Sequence, residues 1–162
     1  MLLELLIATA IHARVPTIAA QNNFTVADAM TTCIRNVGAF DVGRAINPGH
    51  VVGQIIGGEV MGTGYALTEG LVTVEGRICN NNFTDYRILR ACDIPEIEAI
   101  IVESHEPSAA FGAKGVGEIT NVGTASAIAN AIYDAVGVRM TELPITQEKV
   151  LEALSSREKW KG

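Results

Sequence analysis

The sequence predicts an α+β fold, a mixed sheet packed with helices, and three observations lead there. Residues 121–136 place Ala125, Ile128, Ala129, Ile132, Tyr133 and Val136 at the i, i+3, i+4, i+7 spacing of an amphipathic helix. Residues 97–103 (Ile-Glu-Ala-Ile-Ile-Val-Glu) carry the β-branched content of a strand. Helical and extended stretches are mixed without a regular β-α alternation. At 162 residues the chain has the size of a single domain.

Taken in order, residues 2–12 are apolar nearly all round, with Glu4 and His12 the exceptions, and read as a helix that wants burial. The stretch lacks a positive n-region and is too short to span a bilayer, so it is expected to pack against protein. Pro16 closes it, Gln21-Asn22-Asn23 is turn-like, and 26–30 fits a short helical turn. Residues 1–30 are thus an N-terminal helix and linker, 31–154 the folded domain and 155–162 a frayed polar tail.

Thr31 to Val42 reads as a strand, with Ile34, Val37 and Phe40 apolar. Asp41 to Pro48 is a loop punctuated by Asn47-Pro48, across which Asp41 and Arg44 are placed to pair as a salt-bridged turn. His50 to Glu69 keeps a helical apolar pattern (Val51, Val52, Ile55, Ile56, Val60, Met61) despite five glycines. Each interior glycine costs about 1 kcal/mol relative to alanine. Gly53/Gly57 and Gly58/Gly62 are spaced by four, so they line faces where a packed element or a ligand can approach the backbone. His50 reads as a surface or capping residue.

Leu71 to Ile78, broken at Gly76, predicts a hairpin, Asn80 to Asn82 a loop, and Asp85 to Leu89 a short strand or extended stretch. Ser104 to Ala110 is a loop carrying His105, for which a pair with Glu118 is conceivable. Gly137 is a natural end for the 121–136 helix, and Tyr133 sits on its apolar face as a core residue. Thr146 can cap a last helix, Gln147 to Leu154, with Val150, Leu151 and Leu154 facing inward.

The net charge of −6 gives no basic footprint for nucleic acid. Cys33, Cys79 and Cys92 form no Cys-x-x-Cys, so neither a zinc nor an iron–sulfur site is expected, and no metal-ligand set is assigned. Reduced thiols in a cytoplasmic protein are the simplest reading.

The densest signal is Phe111-Gly112-Ala113-Lys114-Gly115-Val116-Gly117-Glu118, three glycines in six residues ahead of a helix. It is not a P-loop, because Lys114 precedes Gly115 rather than Ser or Thr. It is not a dinucleotide fingerprint, because Thr120 stands where Gly or Ala is needed. What is left is a glycine loop presenting a carboxylate. Glu118 either complements the helix end or serves a site.

This loop strongly resembles the one that carries the active-site glutamate in the large subunit of the molybdenum hydroxylases, the xanthine dehydrogenase and aldehyde oxidase family. Asp41-Val42-Gly43-Arg44-Ala45-Ile46-Asn47-Pro48 is similar to an upstream segment of that family. Gly53-Gln54-Ile55-Ile56-Gly57-Gly58 with Gly62-Thr63-Gly64-Tyr65-Ala66-Leu67 resembles its glycine-rich cofactor helix. Asp85-Tyr86-Arg87-Ile88 and Asp93-Ile94-Pro95 fall in the same order, so the resemblance covers about residues 36–154, close to the family's C-terminal end.

The resemblance implies the C-terminal molybdopterin-binding domain of such a subunit. It implies hydroxylation of N-heterocycles such as purines, or of aldehydes, with water as oxygen source. Glu118 would be the general base, a carboxylate raised in pKa by a dry pocket. Gln54 and the backbone of Gly115, Val116 and Gly117 would hold the molybdenum–pterin cofactor, with Lys114 reaching solvent or neutralising a phosphate. Iron–sulfur and FAD groups would lie on other domains or subunits, and the rest of the molybdenum subunit would be a partner. The competing expectation is a catalytically inactive fragment that folds and self-associates as a homo-oligomer without cofactor.

Overall fold

The computed structural model describes residues 7–14 and 31–159. Strand β1 (Ile7–Arg14) runs antiparallel to β2 (Thr32–Asp41), which pairs in parallel with β5 (Glu96–Val102), giving the sheet order β1-β2-β5. The sheet is mixed, as expected. A second, two-stranded hairpin joins β3 (Thr73–Val74) to β4 (Arg77–Ile78). Helices α1 (Pro48–Leu67), α2 (Thr124–Val136) and α3 (Gln147–Lys159) complete the fold.

The helix expected over 2–12 is a strand where it is described. Backbone pairing runs from Ile7↔Phe40 to Arg14↔Thr32, and the β-branched residue types at 7, 9 and 11 favour extended backbone. The readings of residues 1–6, of the 15–30 linker and of Trp160 fall outside the described residues. Asp85 to Leu89 forms no strand. Asn82 Oδ1 accepts from the amides of Thr84 (2.9 Å) and Asp85 (3.3 Å), which curls the chain into a turn before an extended pairing can start. The tail expected from residue 155 is helical to Lys159, with Ser155 and Ser156 hydroxyls donating to the carbonyls of Leu151 and Glu152.

Among the described residues, two apolar clusters hold the elements. Phe40 and Val42 from β2 pack with Val51 and Ile55 from α1, joined by partly buried Val116 and Ile119. Ala66, Ile128, Ile132, Ile145 and Val150 form the second cluster, where α1, α2 and α3 meet. Asn47 caps α1, its Oδ1 accepting from the His50 amide at 3.1 Å, and Pro48 sits in the first turn where no amide is needed. Gly137 closes α2 in the left-handed conformation. Tyr133 is not a core residue: it is exposed and the Arg139 guanidinium lies 3.8 Å from its ring centroid. No helix among the described residues is long and apolar enough to cross a membrane.

Candidate active site

The site is built where the carboxyl end of β2, helix α1 and the 111–120 loop meet. The loop is clamped at both ends. At its start the Gly112 carbonyl accepts from the amides of Arg44 (2.8 Å) and Glu106 (3.0 Å), the Lys114 amide donates to the Val42 carbonyl (2.8 Å), and Gly43 and Ala113 form an antiparallel bridge. Gly43 and Gly112 both have positive φ (64° and 76°), and a Cβ on Gly43 would collide with the Gly112 carbonyl. Phe111 takes φ 56°, unusual for a bulky residue, while 78% exposed.

At its far end the Thr120 hydroxyl donates within reach of the carbonyls of Gln54 (3.2 Å) and Gly117 (3.0 Å). This contact needs Gly58, since a Cβ there would overlap Thr120. One turn on, a Cβ on Gly62 would lie 2.5 Å from Cβ of Thr124. Glycine spacing on α1 therefore lets the loop and the start of α2 lie directly on the helix backbone.

The structure brings Gln54 and the Glu118 loop to one surface of the molecule through the Thr120 clamp. Glu118 opens a short 3-10 turn (Glu118–Thr120) and is exposed, as are Gln54, Gly115 and Gly117, with Val116 half-buried. The dry pocket expected around Glu118 is not formed by the described residues. Among those residues the amides of Gly115, Val116 and Gly117 donate no hydrogen bond, and the Gln54 side-chain amide makes none. Added Cβ atoms on Gly53, Gly57, Gly115 and Gly117 would meet nothing within 4 Å. Bare backbone beside unpaired donors is a surface suited to a polar, acceptor-rich group.

Two sequence readings change here. Lys114 neither reaches solvent nor is left free for a phosphate: its Nζ lies 2.6 Å from Asp41 Oδ2, and the two side chains are 17% and 7% exposed. Asp41 therefore pairs with Lys114 and not with Arg44, which is exposed. Burial pushes the Asp41 carboxyl up, but the Lys114 and Ser104 side chains and the Gly43 amide overcome it and hold the pKa at about 2. His105 does not meet Glu118; its ring lies over Gly112, where an added Cβ would be 2.5 Å from Cδ2.

Sequence reasoning passed over Glu59, which is fully buried beneath the site. Its Oε2 accepts from Asn36 Nδ2 (2.5 Å) and Thr124 Oγ1 (2.7 Å), tying β2, α1 and α2 together, and Gly38 leaves room for it on the sheet. The signal was present: Glu59 is the single charged residue in the 51–68 helical pattern. No cluster of three or more His, Cys, Asp or Glu able to hold a metal ion occurs among the described residues.

Residues 18–95 match the molybdopterin cofactor-binding domain family. The aldehyde oxidoreductase molybdenum-binding subunit PaoC of Escherichia coli K12 is 40% identical over 115 residues, 69% of this chain and 16% of that protein. The chain belongs to the molybdenum hydroxylase family. A second member, the putative xanthine dehydrogenase molybdenum-binding subunit XdhA of E. coli K12, is 36% identical over 129 residues, 78% of this chain and 17% of that one. Among solved structures, aldehyde oxidoreductase from Desulfovibrio gigas superimposes with a TM-score of 0.72 at 36% identity, covering 80% of this chain and 14% of that one. The chain thus spans about one sixth of the length of the family members it matches. The family match includes Gln54 and begins at residue 18, inside the stretch left unmatched by sequence reading; it ends before the glycine loop.

Proposed function

We propose that this chain is the molybdopterin-binding portion of a xanthine dehydrogenase- or aldehyde oxidoreductase-like enzyme, with Glu118 as its general base. The substrate class is an aldehyde or an N-heterocycle such as a purine. The observation that carries the reading is the juxtaposition of Gln54 with a bare glycine loop whose three successive amides lack partners, one residue before a carboxylate.

When bound, the molybdenum–pterin group would supply two-electron redox chemistry, with water as the oxygen source. The chain's own residues do the rest. The Gln54 amide both donates and accepts, which suits the mixed polar edge of a pterin. The amides of Gly115, Val116 and Gly117 donate to acceptor atoms of the group. A carboxylate oxygen of Glu118 takes the proton released as the substrate carbon is attacked. Covering segments from the rest of the molybdenum subunit exclude water from the now exposed Glu118. Iron–sulfur and FAD domains or subunits carry the electrons away.

A second reading has its own support. Phe111, Val122, Met61 and Tyr65 stand 78%, 66%, 56% and 57% exposed, apolar surface of the kind expected on a fragment that folds and self-associates without cofactor. Molybdenum and pterin content per purified chain, from a host able to make the cofactor, separates the two. The enzyme reading expects near-stoichiometric content once the rest of the subunit is co-expressed. In that complex Glu118→Gln keeps the cofactor and loses turnover. Retained turnover overturns the role of Glu118, and a cofactor-free homodimer that refuses the remaining subunit favours the fragment.

A further inference from the structure

Between its two clamps the loop has little to hold it. The amides of residues 115–119 donate no hydrogen bond among the described residues, and two of these five residues are glycines, whose backbone is the costliest to order. Val116 and Ile119 rest partly on the Phe40–Ile55 cluster, a contact without strong direction. The placement of Glu118 is therefore set by the clamps, and the upstream one ends four residues before it.

We propose that Asp41 and Lys114 form a positioning latch for Glu118, a role that rests on the reading of Glu118 as the base. Asp41 is the last residue of β2 and is itself fixed from two sides. Its Oδ1 accepts from the Gly43 amide and from the Ser104 hydroxyl, both at 2.9 Å, and Ser104 lies just beyond the end of β5. Its Oδ2 is left for Lys114 Nζ at 2.6 Å. Lys114 is thus referenced to the carboxyl ends of two adjacent parallel strands. The Lys114 amide is fixed to Val42 in the same place, so main chain and side chain of one residue are both pinned. An apolar contact of similar size would fill the space but would not define where along the loop Lys114 sits; a carboxylate that accepts from three donors does.

The test is backbone 15N relaxation on the full, cofactor-free chain. In the native chain the Gly115, Gly117 and Glu118 amides are expected to have order parameters near 0.85, the value of a rigid backbone, falling below about 0.6 in Lys114→Met and Asp41→Asn. Amides of α2 and α3 stay unchanged, and Lys114→Arg, which keeps the charge, recovers most of the order. Should Asp41→Asn not fold, the Met and Arg variants at the more exposed Lys114 decide. Native-like order in Lys114→Met, or disorder of the loop in the native chain, overturns the latch. In the completed enzyme Lys114→Met is expected to lower kcat at least tenfold with KM and cofactor content within twofold. If Glu118→Gln is active, the base reading fails while the relaxation result still stands on its own.

Discussion

Helix α1 carries two pairs of glycines at the same four-residue spacing, and they do opposite things. Gly58 and Gly62 are filled: Thr120 and Thr124 lie against them, and Thr124 reaches on to the buried Glu59. Gly53 and Gly57 are empty, with nothing within 4 Å of where a Cβ would be. The same division runs through the loop. Lys114 is pinned inward on Asp41, whereas Gly115 and Gly117 are exposed and bare. The candidate site therefore has a packed inner half that fixes geometry and an open outer half where Gly53, Gly57, Gly115 and Gly117 leave bare backbone. A glycine kept open in a helix is a standing cost to stability, and a packed one is repaid by the close approach it permits.

That contrast can be broken experimentally, and the largest effect belongs on the packed side. Gly58→Val puts a branched side chain into Thr120 and is expected to cost about 3 kcal/mol, read by urea unfolding, and to release the loop. A loss below about 1 kcal/mol would show that the loop is not seated on α1. Next is the ion pair of the inner half. Because the folded Asp41 carboxyl titrates at about 2 and its ordinary value is 3.8, its contribution is fully present above about pH 4 and is lost as pH falls toward 2. The amount is about 2 kcal/mol. Acid unfolding of the native chain compared with Asp41→Asn should show that slope in the former and not in the latter. Smallest, and opposite in sign, are Gly53→Ala and Gly57→Ala. Each is expected to stabilise the chain by about 1 kcal/mol, since helix propensity improves and no neighbour is struck. If either destabilises, the open face is covered in the protein as it exists in solution. In the completed enzyme the same alanines are expected to weaken cofactor retention, so stability and binding move apart.

Much of this was legible in the chain because the signals are local. The α2 pattern from Ala125 to Val136, the Asn47-Pro48 start of α1, the β-branched run of β5 and the Gly76 hairpin each follow from neighbours within a few residues. The 2–12 stretch misled because an apolar run interrupted by Glu4 and His12 alone fits a buried helix as well as a strand, and from Ile7 onward, where it is described, pairing with β2 decided in favour of the strand. Tyr133 fits the apolar stripe of α2 by spacing, yet it lies at the stripe's margin where Arg139 covers it.

The sequence by itself determined the family, the α+β class and the candidates Glu118, Gln54 and Gly115 to Gly117, because their words and spacings are short-range and specific. Tertiary structure decided which glycines are filled, that Asp41 meets Lys114 across 73 residues rather than Arg44 across three, and that Glu59 is buried among Asn36 and Thr124. Such pairings depend on how strands and helices are brought together, and a carboxylate's partner is chosen by that geometry rather than by nearness along the chain.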